Sequence, residues 1–312
     1  MLVLTLKAVL RGMVVTLLVL LAIFLVGYVI GDPARLAVPL GASEEQYQQV
    51  RESLGLNDPL GEQLIRFIEG VFTLDFGDSY WQRRPAFDVA IAHLPNTLAL
   101  VGSSFAIALV VGGGLGAVAA TTAHRLLDRV IGWATVAFAS APPFWVGLLL
   151  ILGLAVGLGI FPTSGNSNPL SLVLPAVTLA VASTGRIAQT VRGSLLTEGQ
   201  QPYARFAVAK GLSPSQILTE HTARNAGVAI STFSLWEVVR LVAGASVVVE
   251  VVFAWPGIGQ LSVQAVQRQD FPLVQACVIV VAVLVVVVNT LAELIYAAVD
   301  PRLRTKSQAA IR

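Results

Sequence analysis

Residues 202–225 read PYARFAVAKGLSPSQILTEHTARN, a polar island in a chain otherwise dominated by apolar runs. The stretch carries two short-helix signatures back to back. Pro202, with its fixed φ and missing N–H, suits an opening turn, and Lys210 places a cation at the negative end of the helix dipole. Gly211 then supplies the left-handed residue that stops the helix. Ser213 is a natural N-cap for a second stub, with Pro214 at its first position, Ser215 next, and Gln216 three residues on, where a capping box needs it. The spacing predicts two stubs separated by a sharp corner. Leu212, Ile217 and Leu218 give the corner and second stub an apolar edge, the kind that docks in another protein's groove. An amphipathic loop lying on the lipid surface is the other reading of the same edge.

This stretch resembles the EAA loop of ABC importer membrane subunits, in the form YxRxAxAKGL followed by HxxRNA that peptide-importer permeases carry. The matching residues are Tyr203, Arg205, Ala207, Ala209, Lys210, Gly211 and Leu212, then His221, Arg224 and Asn225. Arg205 stands where the general loop has an acidic residue, so the match is to the peptide branch. The resemblance implies that the stub after Ser213 is a coupling helix seated in a cytoplasmic ATPase.

Composition places this loop in a membrane protein. Of 312 residues, 55% are hydrophobic and 12% charged, where soluble proteins average about 25% charged. The mean hydropathy of +0.78 agrees. A formal charge of +2 is too mild for a nucleic-acid partner, and no basic tract interleaved with aromatics occurs. The single cysteine, Cys277, allows no internal disulfide, and His93, His124 and His221 lie too far apart to read as a metal site.

Lys7 and Arg11 precede an apolar run from Met13 to Ile30, long enough to cross a bilayer and longer than a signal-peptide core, so an uncleaved first span is expected. Gly31 to His93 is polar and acidic and reads as an extramembrane loop with two short helices, one after Ser43 and one over Pro59–Phe72. The second has an apolar stripe through Leu60, Leu64, Ile65, Phe67, Ile68 and Phe72. That stripe either meets an external partner or packs as a lid on the bundle. Further spans are expected at Pro95–Thr121, Val130–Leu158, Leu170–Leu196, Ala226–Phe253 and Phe271–Val299. In the first of these, Gly112 and Gly116 have the spacing that lets helices approach closely. Pro142-Pro143 should kink or break the next. Arg186 and Arg192 are expected to snorkel toward the cytoplasmic end. Cations near both termini, in the turn at Arg125 and Arg129 and in the 202–225 loop favour cytoplasmic N- and C-termini.

No GxxxxGK[ST] phosphate loop, HExxH or GxSxG occurs, so no catalytic residue, metal ligand or ATP site is assigned to this chain. If ATP supplies the energy, a partner binds it. The informative intramembrane charges are Glu237, Arg240 and Glu250. Glu237 and Arg240 share one helical face. They read either as part of a translocation path for charged or zwitterionic solutes or as a self-satisfied ion pair.

The family resemblance extends along the chain, through Gly31-Asp32-Pro33-Ala34, Asp75-Phe76-Gly77-Asp78-Ser79, Leu94-Pro95-Asn96-Thr97-Leu98, Pro142-Pro143-Phe144-Trp145, Phe161-Pro162 with Gly165, and Glu250 leading to Trp255-Pro256-Gly257-Ile258-Gly259. It implies an all-α integral membrane protein, one permease domain over 1–312 with six transmembrane helices of the type I importer kind. A helical extracytoplasmic loop would occupy 31–94, between the first and second helices, and a cytoplasmic coupling loop 197–225. The implied setting is a bacterial inner membrane, with a second homologous permease, two ATPase subunits that bind ATP and magnesium, and an extracytoplasmic solute-binding protein as partners. Di- or oligopeptides are the implied cargo, although glutathione, nickel chelates, opines and saccharides use similar frameworks. An ion-coupled carrier and a channel or scaffold component independent of ATP are the rival classes.

Overall fold

The computed structural model describes residues 43–53, 56–123, 125–213, 216–217 and 222–299, with 10, 14, 17–19, 21–22, 24–25 and 38. The expected first span, the Gly31–Ala34 motif and the terminal cations lie wholly or largely outside the described residues. Among the described residues the regular elements are helices, with one isolated bridge between Asp78 and Pro85. We number them α1 (Glu44–Ser53), α2 (Leu60–Thr73), α3 (Ala86–Thr121), α4 (Leu126–Ser140), α5 (Pro143–Gly157) and α6 (Pro169–Gly199). Then follow α7 (Pro202–Ala209), α8 (Ala223–Arg240), α9 (Ser246–Val252), α10 (Ile258–Gln267) and α11 (Phe271–Val299).

Three of these, α3, α6 and α11 as far as Ile295, are long and apolar enough to cross a membrane. α4 and α5 together make a fourth candidate bent by 103°. The bend falls where the sequence places it. Pro142 is extended and Pro143 takes the first position of α5, so the α4 ladder stops at Ser140 and a new one begins. α3 differs from expectation at its start: it begins at Ala86 and carries Pro95 inside the helix rather than at its mouth. The helix absorbs Pro95 by giving up one backbone bond, and the polar side chains just after it are used elsewhere.

The chain divides into two compact units. The first contains residues 99–255, and α6 is its hub: 61% of the apolar stretch of α6 is buried, against 28% for α3 and α11. Small residues let the neighbours reach α6. Gly112 and Gly116 of α3 lie against the backbone of Thr184 and Ala188, and Gly185 of α6 lies against Thr135 and Ala139 of α4. Gly113 and Gly114 face open space, so only the members of the four-residue spacing serve packing. Ala108, Ile187, Val191, Leu195 and Ala226 close this core, tying α8 to the same hub. Separate motifs of the sequence also meet here. The Gly165 N–H donates to the Phe253 carbonyl at 2.8 Å, and Gly147 lies against the Phe253 ring.

The second unit contains residues 9–98 and 256–286. Its core joins Ala86, Val89 and Ala90 of α3 to Ile258, Leu261 and Ala265 of α10 and to Leu273, Ala276 and Cys277 of α11. Polar side chains set its corners. Asn96 donates to the Pro256 carbonyl at 2.8 Å, and Thr97 Oγ1 accepts from the Ile258 N–H at 2.9 Å, so Leu94–Leu98 grips the start of α10. Asp270 is wholly buried and accepts from the Ser79 hydroxyl at 2.5 Å, the Trp81 N–H at 3.1 Å and the Leu273 N–H at 3.2 Å. It thereby caps α11 and anchors the Asp75–Ser79 turn with one carboxylate. Burial, then the Asp270 charge, pushes the Tyr80 phenol up to about 12. Phe67 and Val71 of α2 pack on this core, while Phe72 is 84% exposed. Among the described residues, the α2 stripe is therefore covered at Phe67 and left open at Ile65 and Phe72.

An added Cβ at Gly116 would lie 2.5 Å from the Ala188 carbonyl oxygen and 2.7 Å from Val191 Cβ, whereas one at Gly114 meets nothing within 4 Å. Gly116→Val should cost about 1–3 kcal/mol or more by overpacking, and Gly114→Ala should leave the detergent-solubilised protein's thermal midpoint unchanged or slightly raised. Equal midpoints for the two variants would contradict this packing.

Candidate functional site

The corner expected at residue 211 is present. α7 ends at Ala209 with Lys210 as its cap, and Gly211 follows at φ +82°. The Gly211 N–H donates to the Val208 carbonyl at 2.9 Å and the Leu212 N–H to the Ala207 carbonyl at 3.3 Å. These are the two bonds of a Schellman termination, which needs a left-handed residue at Gly211. On the far side, the Ser213 N–H donates to Gln216 Oε1 at 3.0 Å and the Gln216 N–H to Ser213 Oγ at 3.4 Å, a reciprocal capping box. Pro214, Ser215, Leu218 and His221 lie outside the described residues. Among the described residues, one helix thus ends at Ala209 and helical hydrogen bonding resumes at Ser213, whose carbonyl accepts from the Ile217 N–H at 3.0 Å.

The faces of α7 divide cleanly. Ala204 and Ala207 are buried, while Phe206 and Val208 are each 62% exposed. Arg205 and Arg224 are exposed as well. Lys210 Nζ sits 4.7 Å above the Phe206 ring. Tyr203 donates to Glu198 Oε2 at 2.5 Å, and burial followed by this bond raises its pKa. Leu212 and Ile217, expected to form the apolar edge, are half-buried. The larger exposed apolar surface is Phe206 and Val208 on the first stub. Sequence reasoning assigned no role to these two, although an aromatic between Arg205 and Lys210 in a polar loop was a usable signal.

A second constellation lies on α6 and α8. Glu237 is 3% exposed and is held by two arginines. Arg240 Nη2 donates to Glu237 Oε1 at 2.6 Å, and its Nε lies 3.2 Å from both carboxylate oxygens. Arg186, across on α6, donates to the same Oε1 from Nη2 at 2.7 Å and from Nε at 3.1 Å. Both Nη2 atoms also stand 3.4 Å from the Ser183 hydroxyl. The expected Glu237–Arg240 pair is real but not self-contained, because a third charge joins it. Both arginines expected to snorkel are paired: Arg186 with Glu237, and Arg192 through a two-pronged bond to Asp128 of α4 at 2.6 and 2.8 Å, while their side chains stay partly exposed. A carboxylate on a neighbouring helix offsets the cost of a guanidinium along an apolar one. Glu250, wholly buried, lies beyond the π turn Leu241–Ala245 that follows Arg240.

The chain matches two family models. Residues 112–305 match the binding-protein-dependent transport system inner membrane component, and residues 1–101 match the N-terminal part of such membrane components. A Brucella abortus protein named for a peptide transport system permease is 36% identical over 310 residues, covering 96% of this chain and 98% of that protein. The oligopeptide transport system permease protein AppB of Bacillus subtilis is 34% identical, covering 95% and 98%. The glutathione transport system permease protein GsiC of Escherichia coli K12 is 34% identical, covering 95% and 97%. Among solved structures, a chain of the MetNI methionine ABC transporter in an inward-facing conformation aligns with a TM-score of 0.58 at 22% identity, covering 68% of this chain and 96% of that one.

The three-charge cluster makes a specific stability claim. Glu237→Gln would leave two guanidinium groups facing each other, at a cost of about 2–3 kcal/mol, below the full range for a buried pair because both arginines are partly exposed. Adding Arg186→Gln should restore part of that loss. Thermal midpoints of the single and double variants in detergent check this, and additive losses would contradict it.

Proposed function

The chain belongs to the family of binding-protein-dependent transport system inner membrane components, the permease subunits of ABC importers, and on that premise we propose that it moves di- or oligopeptides or a related small solute. The Gly211 corner is the observation that carries the mechanism. Two stubs, locked by a Schellman termination on one side and a capping box on the other, form a short lever whose angle is set by the backbone itself. In our reading the segment from Tyr203 to Arg224, including Arg205, Lys210 and Ser213–Leu218, seats in a cytoplasmic ATPase, and Phe206 and Val208 extend the apolar contact. ATP and magnesium belong to that partner. Closure of two such ATPases would push the lever, and the helices would alternate between inward and outward openings.

The remaining organisation follows from the same reading. Six membrane-spanning helices would be made of a first span before residue 31, α3, the bent α4–α5 pair, α6, α8 continuing through α9, and α11. The segment 31–94 would face the outside and meet or flank a solute-binding protein, and both termini would be cytoplasmic. A second, homologous permease would complete the path. Glu237, Arg240 and Glu250 would border that path from α8 and α9.

Gly211→Val forces a β-branched residue to a positive φ at a cost of about 1–2 kcal/mol, with no steric clash to confuse the result, since an added Cβ there meets nothing within 4 Å. In an importer reconstituted with its partners, this variant should keep co-purifying ATPase subunits yet lose solute uptake by about tenfold or more per ATP hydrolysed. Unchanged uptake would contradict the lever. An ion-coupled carrier would show itself by uptake without any co-purifying ATPase.

A further inference from the structure

We propose that Arg186 and Arg240, held apart and aimed by Glu237, form a receptor for the carboxylate of the transported solute. The proposal rests on the permease reading above and assigns the chemistry of one station on its path.

The cluster has a surplus charge and unused donors. The cluster holds two guanidinium groups and one carboxylate, so it carries a surplus of +1. Glu237 engages Nε and Nη2 of Arg240 and Nε and Nη2 of Arg186, while the Nη1 group of each arginine has no bond among the described residues. Glu237 is 3% exposed, but the side chains of Arg186 and Arg240 are 25% and 45% exposed. The anion is therefore sealed and the cations are not. A surplus cation at membrane depth is not covered by acyl chains and calls for water or an anion. Two planar forks fixed by a shared carboxylate suit a two-oxygen anion, because guanidinium donors match carboxylate geometry and their ordering entropy is already spent on Glu237.

A lipid phosphate has the same basic chemistry. Depth favours the solute. Arg186 sits 13 residues before the end of α6 at Gly199, about 20 Å along the helix axis, and its neighbours Ser183 and Thr184 are buried.

The test uses the purified importer, this chain with its partners, and two probes: trialanine and its C-terminal amide. Wild type should bind trialanine about tenfold or more tightly than the amide. Arg240→Gln should bring the ratio to about one. Arg240→Lys keeps a cation beside Glu237 but loses the fork, and should give an intermediate ratio with the thermal midpoint of wild type. Equal affinities in wild type, no binding of either peptide, or a ratio that survives Arg240→Gln would overturn the proposal. So would native mass spectra in which Arg240→Gln loses bound phosphatidylglycerol while the trialanine preference persists. ATPase subunits in the same preparation report on the permease reading separately, whichever way the peptide ratio falls.

Discussion

The backbone of Gly211, at φ +82°, lets a helix stop sharply just before the Ser213 cap, and the mechanism proposed for this chain turns on that corner. A polar segment leaving apolar helices must satisfy its own N–H and carbonyl groups or lose its shape. Here the bonds to Val208 and Ala207 finish the first stub and the Ser213–Gln216 exchange starts the second. Among the described residues the corner is thus encoded locally. That is what a lever requires: a pre-set angle transmits a push, whereas a loose loop would absorb it as entropy. Tyr203, bonded to Glu198 at the end of α6, ties this segment to a helix whose apolar stretch is 61% buried.

In the proposed mechanism α6 would receive the push. Its contacts with α3 and α4 include glycines that lie against backbone atoms and, at Gly112 and Gly116, against the Ile187 and Val191 side chains, so these helices meet closely. Packing of this kind deforms little and moves as a block. The charges on α6 follow the same economy. Arg192 is tied to α4 through Asp128 and Arg186 to α8 through Glu237, so each guanidinium links α6 to a different neighbour. Such links are weak as sources of net stability but costly to break by removing one partner, and they fix which helix faces which.

Local signals were legible in the sequence. The stop at Gly211, the Ser213 cap, the break at Pro142-Pro143 and the close approach at Gly112 and Gly116 each arise from residues within a turn or two, and the structure has all of them. Non-local choices were not legible. The partners of Arg186 and Arg192 could not be read, because nothing in their own helix points to Glu237, 51 positions away, or Asp128, 64 positions away. Pro95 looked like a helix start, since a proline's first reading is an opening turn, yet α3 begins at Ala86. The exposure of Phe206 and Val208 depends on how α7 rests on its unit through Ala204 and Ala207, which periodicity over eight residues does not resolve.

The central claim is that the corner at Gly211 is gripped by a nucleotide-burning partner rather than laid on lipid. A photo-crosslinker placed singly at positions 205, 206, 208, 212 and 217 in the membrane-embedded complex tests this directly. Crosslinks to an ATPase subunit at 206, 208 and 212, with yields that change when ATP is added, are the predicted result. Crosslinks to lipid alone at all five positions, indifferent to ATP, would contradict the account.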